Sequence, residues 1–269
     1  AVGYQSLDAN TTGNNSVAVG AYSLSAASTG GVNTAVGTYA LNANTTASNN
    51  TAVGNSALQQ NTTGTQNVAV GSQALDANTT ASYNTAVGKS ALTTNTSGNS
   101  NLAVGRNSLY NNTTGDSNVA LGANALSANT TASDNVAVGG SALSANQTGT
   151  RNVAVGSNAL QSNTGNYNTG LGFYTLKDSS SGSSNTALGY FASKANTTAS
   201  NNTSVGYSAL SANTTGTQNV AVGANALDAN TTAPNNTAVG YAALGATTTG
   251  SRNTAVGNSA LLNNTTGTS

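Results

Sequence analysis

The chain has 269 residues, of which 36% are hydrophobic and 4% are charged, and its six Lys and Arg balance six acidic residues. A neutral chain with so few charges lacks the electrostatic surface that nucleic acid or an anionic membrane would attract. No apolar run reaches the length of a membrane span, and the absence of Cys excludes disulfides and thiolate metal sites. We therefore predict no nucleic-acid partner and no membrane insertion in this segment.

One motif, Ala-Val-Gly with close variants, recurs along the whole chain. Its glycine stands at positions 3, 20, 37, 54, 71, 88, 105, 122, 139, 156, 172, 189, 206, 223, 240 and 257, and we call it the motif glycine. These sixteen copies are 17 residues apart, except that Gly156 and Gly172 are 16 apart. No linker interrupts the pattern, so residues 1–269 are predicted to form a single tandem-repeat array.

The consensus repeat is Asn-(Thr/Val)-Ala-Val-Gly-x-x-Ala-Leu-x-x-Asn-Thr-Thr-(Gly/Ala)-x-x. Alternation around Thr-Ala-Val-Gly predicts a short strand, x-x-Ala-Leu predicts a second one, and Asn-Thr-Thr-Gly is typical of turns. Segments this short do not form stable helices. The predicted fold class is all-β: a parallel β-solenoid of about sixteen 17-residue coils, in which equivalent residues stack in columns about 4.8 Å apart.

The most regular columns of the repeat predict the interior. Val before the motif glycine and Leu four residues after it are expected to point inward, and the Asn four residues before it is expected to form a ladder along the axis. The predicted core columns include Val36, Leu41, Val53, Leu58, Val70, Leu75, Val87 and Leu92. The predicted ladder includes Asn33, Asn50, Asn67, Asn84, Asn101 and Asn118.

Two large apolar residues per coil make a thin core, which falls short of offsetting the conformational entropy lost on folding. Packing several chains together would bury Ala and Val surface that one chain exposes, so we predict a homo-oligomer. Neither end of the sequence shows an atypical polar repeat. The array is therefore expected to continue beyond Ala1 and Ser269, or to stack end to end into a filament.

The stretch Asn-(Thr/Val)-Ala-Val-Gly-x-x-Ala, as in Asn67 to Ala74, resembles the head repeat of YadA-like trimeric autotransporter adhesins. The longer form with Asn-Thr-Thr-Gly is similar to repeats of phage tail-fibre proteins and of bacterial surface proteins with tail-fibre domains. The resemblance covers the whole chain, although this repeat is longer than that of the adhesin heads. It implies a left-handed parallel β-roll, a trimeric rod, and a location that is extracellular, at the cell surface or on a virion.

Side chains that could carry chemistry are few, so the sequence predicts neither an enzyme nor a cofactor. There is no His or Cys, and the acids Asp8, Asp76, Asp116, Asp134, Asp178 and Asp228 are scattered and predicted to be solvated. Gly170 and Gly172 lack the rest of a dinucleotide-binding fingerprint. Asn-x-Thr triplets such as those at Asn10 and Asn213 match glycosylation acceptors, but turn chemistry is the favoured interpretation.

Aromatic residues just after the motif glycine are the candidate contacts for a surface glycan or a host receptor. They are Tyr4, Tyr22, Tyr39, Phe173, Tyr174, Tyr190, Tyr207 and Tyr241, and scattered surface tyrosine is the alternative interpretation. The pattern loosens from Gln161 to Ser193, where a kink or a binding spot competes with simple repeat drift. In the second case Phe191 is expected to fill the volume of the Leu that Ser193 replaces.

These observations predict a structural and adhesive segment of an extracellular or virion fibre, built from tandem β-solenoid repeats and self-associating into a rod or filament. The alternative is a carbohydrate- or ice-binding solenoid that uses surface columns of Thr and Tyr. The Thr residues of that interpretation include Thr11, Thr45, Thr62, Thr79 and Thr130.

Overall fold

A computed structural model describes residues 1–268, which contain fifteen strands of three residues each and no helix. The contacts of the chain divide it into two compact units, Ala1–Asp134 and Asn135–Ser269, and each is described by itself. The prediction of a single array over residues 1–269 stays a prediction.

Within each unit the strands are parallel, and each repeat contributes one strand. The first unit contains β1 Val17–Val19, β2 Thr34–Val36, β3 Thr51–Val53, β4 Val68–Val70, β5 Thr85–Val87, β6 Leu102–Val104 and β7 Val119–Leu121. The second contains β8 Val136–Val138, β9 Val153–Val155, β10 Thr169–Leu171, β11 Thr186–Leu188, β12 Thr203–Val205, β13 Val220–Val222, β14 Thr237–Val239 and β15 Thr254–Val256.

Within each unit a strand pairs with the next strand of the chain, in register and one repeat apart. Ala52 of β3 lies opposite Ala69 of β4, for example, and Val2 pairs with Val19 through an isolated bridge. Strands β9 and β10 also pair in register, but their partners Ala154 and Gly170 are 16 residues apart instead of 17, because that repeat is one residue shorter. The predicted parallel β-solenoid of 17-residue coils is confirmed in each unit.

The inward prediction for the valine column is wrong. In each strand the middle residue, usually Ala, is buried, while the two flanking residues point outward. Val36 and Val53 are partly exposed, and Val70 and Val87 each keep 36% of their surface exposed. Alternation allows a three-residue strand only one inward position here, and the small methyl of Ala fits the narrow coil.

The leucine column is fully buried from Leu24 to Leu244, whereas Leu7 and Leu261, in the first and last coils, are partly exposed. Leu41, Leu58, Leu75 and Leu92 expose none of their surface, and each packs in an interior made largely of Ala. This is the position that the sequence predicts for them.

The segment that carries Leu is a series of turns, so the prediction of a second strand is wrong. Ser56 and Leu58 have φ values of 55° and 54°, and the equivalent residues of the other coils are similar. Left-handed backbone costs an L-residue about 1–2 kcal/mol. The turns nevertheless bond to the next coil, since the Leu58 amide donates to the Ala74 carbonyl at 3.0 Å.

The short repeat loses its residue in the Asn-Thr-Thr turn. The Asn152 side chain donates to the carbonyl of Gly165, 13 residues away, where the corresponding bonds in other coils span 14. The backbone amide of Asn168 still donates to Asn152 Oδ1 at 2.9 Å, so the Asn column continues through the repeat that is one residue shorter. The missing residue is therefore absorbed in the turn and leaves the interior in register.

The coil with Ser193 in place of Leu is completed by a hydrogen bond. Ser193 is buried, and its hydroxyl lies 2.9 Å from that of Ser204, which replaces the usual Ala of a strand. The Phe191 ring lies against surface aromatic rings instead. The interpretation that Phe191 fills the missing Leu volume is therefore wrong, because a pair of small polar residues satisfies the interior.

Candidate functional surfaces

The Asn column before each strand forms a buried ladder. The backbone amide of Asn67 donates to Asn50 Oδ1 at 2.9 Å, and the backbone amide of Asn84 donates to Asn67 Oδ1 at 3.0 Å. Each side-chain amide also donates to a turn carbonyl, as Asn50 does to Gly64 at 2.9 Å. Asn33, Asn50, Asn67, Asn84, Asn101 and Asn118, the predicted ladder residues, are all buried. This column therefore joins successive coils and crosses the interior of each coil.

A second buried Asn ladder comes from the Asn-Thr-Thr segment, which sequence reasoning assigned to a turn. Asn61 donates to Asn44 Oδ1 at 3.1 Å and Asn78 donates to Asn61 Oδ1 at 2.8 Å. Asn61 also donates to the Gly64 carbonyl at 2.9 Å, so both ladders meet at the same acceptor. The recurrence of this Asn, interrupted only at Ala27, Ser179 and Thr247, was the signal that could have revealed its interior position.

Burial of the second ladder bears on the glycosylation motifs. Asn213 exposes none of its surface, and its side-chain nitrogen donates to Asn196 Oδ1 and to the Gly216 carbonyl. In the folded coil this nitrogen is enclosed and cannot meet a glycosyl donor. The triplet at Asn213 is thus an interior structural element.

The Thr that follows this Asn uses its hydroxyl proton internally. Thr62 Oγ1 donates to the Thr79 carbonyl at 3.0 Å, and Thr45 and Thr79 make the same bond to the next coil. These hydroxyls reinforce the stack. A flat array of free Thr hydroxyls, which an ice-binding surface would present, is not formed by this column.

Aromatic side chains of the first unit form a short stack near Ala1. Tyr22 and Tyr39 stack with ring centroids 5.1 Å apart and planes inclined by 6°, and Tyr4 meets Tyr22 edge-on at 5.3 Å. Of these predicted contact residues, Tyr4 keeps 67% and Tyr39 keeps 38% of its surface exposed.

The second unit carries two parallel ring stacks. Phe173, Tyr190 and Tyr207 are separated by 5.5 and 5.6 Å, and beside them Tyr174 and Phe191 are 5.8 Å apart. Lys177 and Lys194 place their ammonium groups over the rings of Tyr174 and Phe191, respectively. The structure thus brings four of the predicted contact residues together with Phe191, while Tyr241 lies in the column of Tyr207, two coils further along.

The acidic residues do not all share the solvated surface that the sequence predicts. Asp76 is half-buried, and its Oδ1 atom is buried without a hydrogen-bond partner among residues 1–268. Burial raises the pKa of the Asp76 carboxyl, because desolvation penalises the charged form. Burial likewise raises the pKa of Asp228, partly countered by hydrogen bonds from the backbone amides of Asp228 and Ala229.

The raised pKa predicts that Asp76 weakens the fold at neutral pH. The folded state binds the proton more tightly than the unfolded chain, so the contribution of this carboxyl to stability is fully present below the unfolded pKa and is lost as pH rises through the folded pKa. Asp76→Asn is expected to raise the melting temperature at about pH 7 and to leave it unchanged at about pH 3. Thermal unfolding followed by circular dichroism at both pH values measures this difference.

The matched control is Asp8→Asn, in the equivalent position of the first coil, where the side chain is exposed. This variant is expected to melt like the parent at both pH values. An Asp76→Asn effect that is the same at acid and neutral pH would contradict the prediction.

One open polar groove lies in the first unit. Its lining includes Lys89, Asn107, Tyr110 and Asn124, and it contains no acidic residue. Within residues 1–268, His, Cys, Asp and Glu nowhere form a group of three or more that could hold a metal ion. Nor does that part of the chain form a helix with the length and apolarity that a membrane crossing requires.

The polar side chains of the Asn ladders are buried and hydrogen-bonded within the coils, whereas the aromatic rings lie on the outside. The outer surface is therefore the part of the described chain that is free to contact another molecule. Comparison with known proteins adds no relative to this picture: neither a family model, nor a curated protein, nor a solved structure matches the chain.

Proposed function

We propose that the chain is a structural and adhesive segment of an extracellular or virion fibre, that it works without enzymatic chemistry, and that it associates with copies of itself. The single observation that carries this proposal is an outward-facing strip of apolar residues along the strands. We call this strip the valine face and define it in the first unit as the first and third residues of β3 to β6.

The valine face is mostly apolar and free of charge, with Thr51 and Thr85 as its polar members. Its members are Thr51, Val53, Val68, Val70, Thr85, Val87, Leu102 and Val104, and none is fully buried. Val70, Val87 and Val104 each keep 36% of their surface exposed. A continuous apolar strip on a protein with so little charge is typical of an interaction surface.

A second copy of this chain is the occupant that fits the valine face best. The partner must be apolar and uncharged along its length, and it must present a side chain every coil. Another valine face meets both conditions, because its spacing is set by the same parallel strands. Burying this face in an oligomer would also stabilise coils whose own interior consists mainly of Ala, Leu and Asn.

The proposed number of chains, three, and the left-handed coil rest on the resemblance to trimeric adhesin heads. The same resemblance supports a location outside the cell or on a virion. A rod assembled in this way would be long and stiff, and it would present the remaining surfaces of each coil to a host receptor or a glycan. End-to-end stacking into a filament is part of the same proposal.

The test is the mass of the full chain in solution, measured by sedimentation equilibrium at micromolar concentration. We expect the parent to be a trimer and the double variant Val70→Lys, Val87→Lys to be a monomer with an unchanged circular dichroism spectrum. The ammonium groups would be desolvated in the interface but can reach water in the monomer. A milder pair, Val70→Thr with Val87→Thr, is expected to weaken association without adding charge.

The matched control places the same charges beside the valine face. Ser72 and Asn55 are exposed in a column where Lys89 occurs naturally, so Asn55→Lys with Ser72→Lys should leave the trimer intact. A parent that sediments as a stable monomer, or a Val70 and Val87 variant that keeps the parent mass, would sink the proposal.

The aromatic stacks favour carbohydrate binding as a second function. Ice binding is less favoured, because the Thr hydroxyls bond within the stack of coils. The inner rings of a stack cover one another's faces and offer only edges, so sugar stacking requires a ring with a free face. Tyr207 of the second unit stacks on a neighbouring ring on one side and keeps 56% of its surface exposed.

A further inference from the structure

A gap interrupts the column of aromatic rings that begins at Phe173. Phe173, Tyr190 and Tyr207 occupy the first position after the motif glycine in three successive coils, and Tyr241 occupies it two coils beyond Tyr207. Ala224 stands in the intervening coil. Tyr207 and Tyr241 each keep 56% of their surface exposed.

The backbone around the gap keeps the regular spacing of the solenoid. The Asn225 amide donates to the Tyr207 carbonyl at 2.9 Å, and the Ala242 amide donates to the Ala224 carbonyl at 2.9 Å. Strands β12, β13 and β14 pair in register on the other side of the motif glycine. Two steps at the strand spacing therefore separate Tyr207 from Tyr241 by about 9.6 Å along the axis.

The ring of Tyr207 has one free face, and it points toward the gap. Its opposite face stacks on Tyr190, with centroids 5.6 Å apart and planes inclined by 2°. Continuing this stack by one step would place a ring directly over Ala224. The methyl of Ala224 leaves that space open.

We propose that the gap between Tyr207 and Tyr241, which we call the tyrosine slot, binds one pyranose ring of a neutral saccharide. A ring held midway would lie about 4.8 Å from each tyrosine, within the range in which aromatic side chains make favourable face contacts. The C–H groups on the two faces of a pyranose are slightly positive, and they complement the negative faces of the tyrosine rings.

The width of the slot suits a sugar at least as well as a flat aromatic ligand. A flat ring would lie there at centroid spacings like the 5.5 and 5.6 Å that separate Tyr190 from Phe173 and Tyr207, which are wider than the about 3.5–4 Å of van der Waals contact. A pyranose chair is thicker, because its axial hydrogens project above and below the mean plane. It can therefore touch the Tyr207 ring and, across the gap, the Tyr241 side chain at once.

The positions next to the slot carry no charge. In the three coils that contain Tyr207, Ala224 and Tyr241, the first two positions after the glycine hold no acidic or basic residue. Asn225 follows Ala224 and is partly exposed, so its amide can bond to ring hydroxyls. Asp228, the nearest acid by position, is half-buried in a different column. This composition matches a neutral sugar rather than a carboxylated or sulfated one.

The arrangement occurs once in this column of the chain. The other aromatic residues at the first position after the glycine either stack directly on a neighbour or, like Tyr4, are followed by Ala21 and Thr38. The tyrosine slot is thus a departure from the repeat, and it does not depend on the valine face or on the number of chains.

The experiment is saturation-transfer NMR and calorimetric titration of the full chain with cellobiose, lactose and mannobiose, and with p-nitrophenol as a flat aromatic probe. We expect one site for at least one of the disaccharides. Tyr207→Ala and Tyr241→Ala should each weaken binding about tenfold, since each removes one aromatic face. Ala224→Tyr should abolish binding, because the new ring would occupy the space between Tyr207 and Tyr241. Tyr is tolerated in this column, since Tyr190, Tyr207 and Tyr241 already occur there.

The matched control is Ala123→Tyr, which adds the same side chain at the equivalent position of another coil and should bind the sugar like the parent. Circular dichroism of each variant verifies that the coils remain folded. Failure of the parent to bind any of the three sugars, preferential binding of p-nitrophenol, or sugar binding that survives Ala224→Tyr would each overturn the proposal. A parent that forms trimers but binds no sugar would overturn the slot and leave the fibre proposal standing.

Discussion

Gly139→Ala is expected to unfold the coils around it, with a loss of roughly 2–5 kcal/mol of stability. Gly139 has φ of +133°, in a region that L-residues rarely adopt. A methyl group on its Cα would lie 2.6 Å from the carbonyl carbon and oxygen of Gly156 in the next coil. Because the collision is with backbone, no side-chain rotation relieves it. Thermal unfolding and hydrogen exchange of the neighbouring amides measure the loss.

The adjacent residue provides the matched control. A methyl group on Gly140 would meet only the Ser157 hydroxyl oxygen, at 3.9 Å, and its column already contains Ala123. Gly140→Ala is therefore expected to change stability by no more than about 0.5 kcal/mol. Equal melting temperatures for the Gly139 and Gly140 variants would show that the motif glycine is not required by backbone geometry.

Asn84→Asp is expected to cost about 3–5 kcal/mol at neutral pH. Asn84 exposes none of its surface, its Nδ2 donates to the Gly98 carbonyl at 2.9 Å, and its Oδ1 accepts from the Asn101 amide. A carboxylate would keep the bond from Asn101, but its second oxygen would face the Gly98 carbonyl. The result is a buried charge opposed by an acceptor.

The pH dependence separates this electrostatic effect from a simple loss of packing. Protonation restores a donor that can bond to Gly98, so the folded state favours the protonated acid and the stability deficit should shrink as pH falls. Asn55→Asp, on the exposed surface of another coil, is expected to melt like the parent near neutral pH. A deficit for Asn84→Asp that does not change between neutral and acid pH would contradict this account.

The period and the fold class could be predicted from the sequence because they depend on repetition, which is visible in one dimension. The burial of Leu58 and the ladder through Asn50 and Asn67 followed from columns that hardly vary. Valine was misplaced because hydrophobicity alone does not say which side of a three-residue strand faces inward. The small Ala52 was the better guide, since a narrow coil selects for size.

The second Asn ladder was missed for a related reason. Asn61 and Asn78 lie in a segment whose composition is typical of exposed turns, and local propensity does not reveal a turn that folds back into the interior. The left-handed backbone of Leu58 was also outside the reach of propensity, since Leu rarely adopts it. Of the candidate contact residues, the column positions and the interruption at Ala224 were visible in the sequence, but the stacking of the rings required the structure.

The identical register of successive coils has a consequence for how the length of such a chain can change. Asn33 Oδ1 accepts from the Asn50 amide at 2.9 Å, and Asn50 Oδ1 accepts from the Asn67 amide at the same distance. Excision of residues 50–66, which is one full repeat, would bring Asn67 to the place that Asn50 held, with every donor again opposite an acceptor. Unequal recombination between neighbouring repeats of the coding sequence can therefore shorten or lengthen the protein in steps of 17 residues without creating a misfolded junction. Length is thus a trait that selection can adjust independently of the fold.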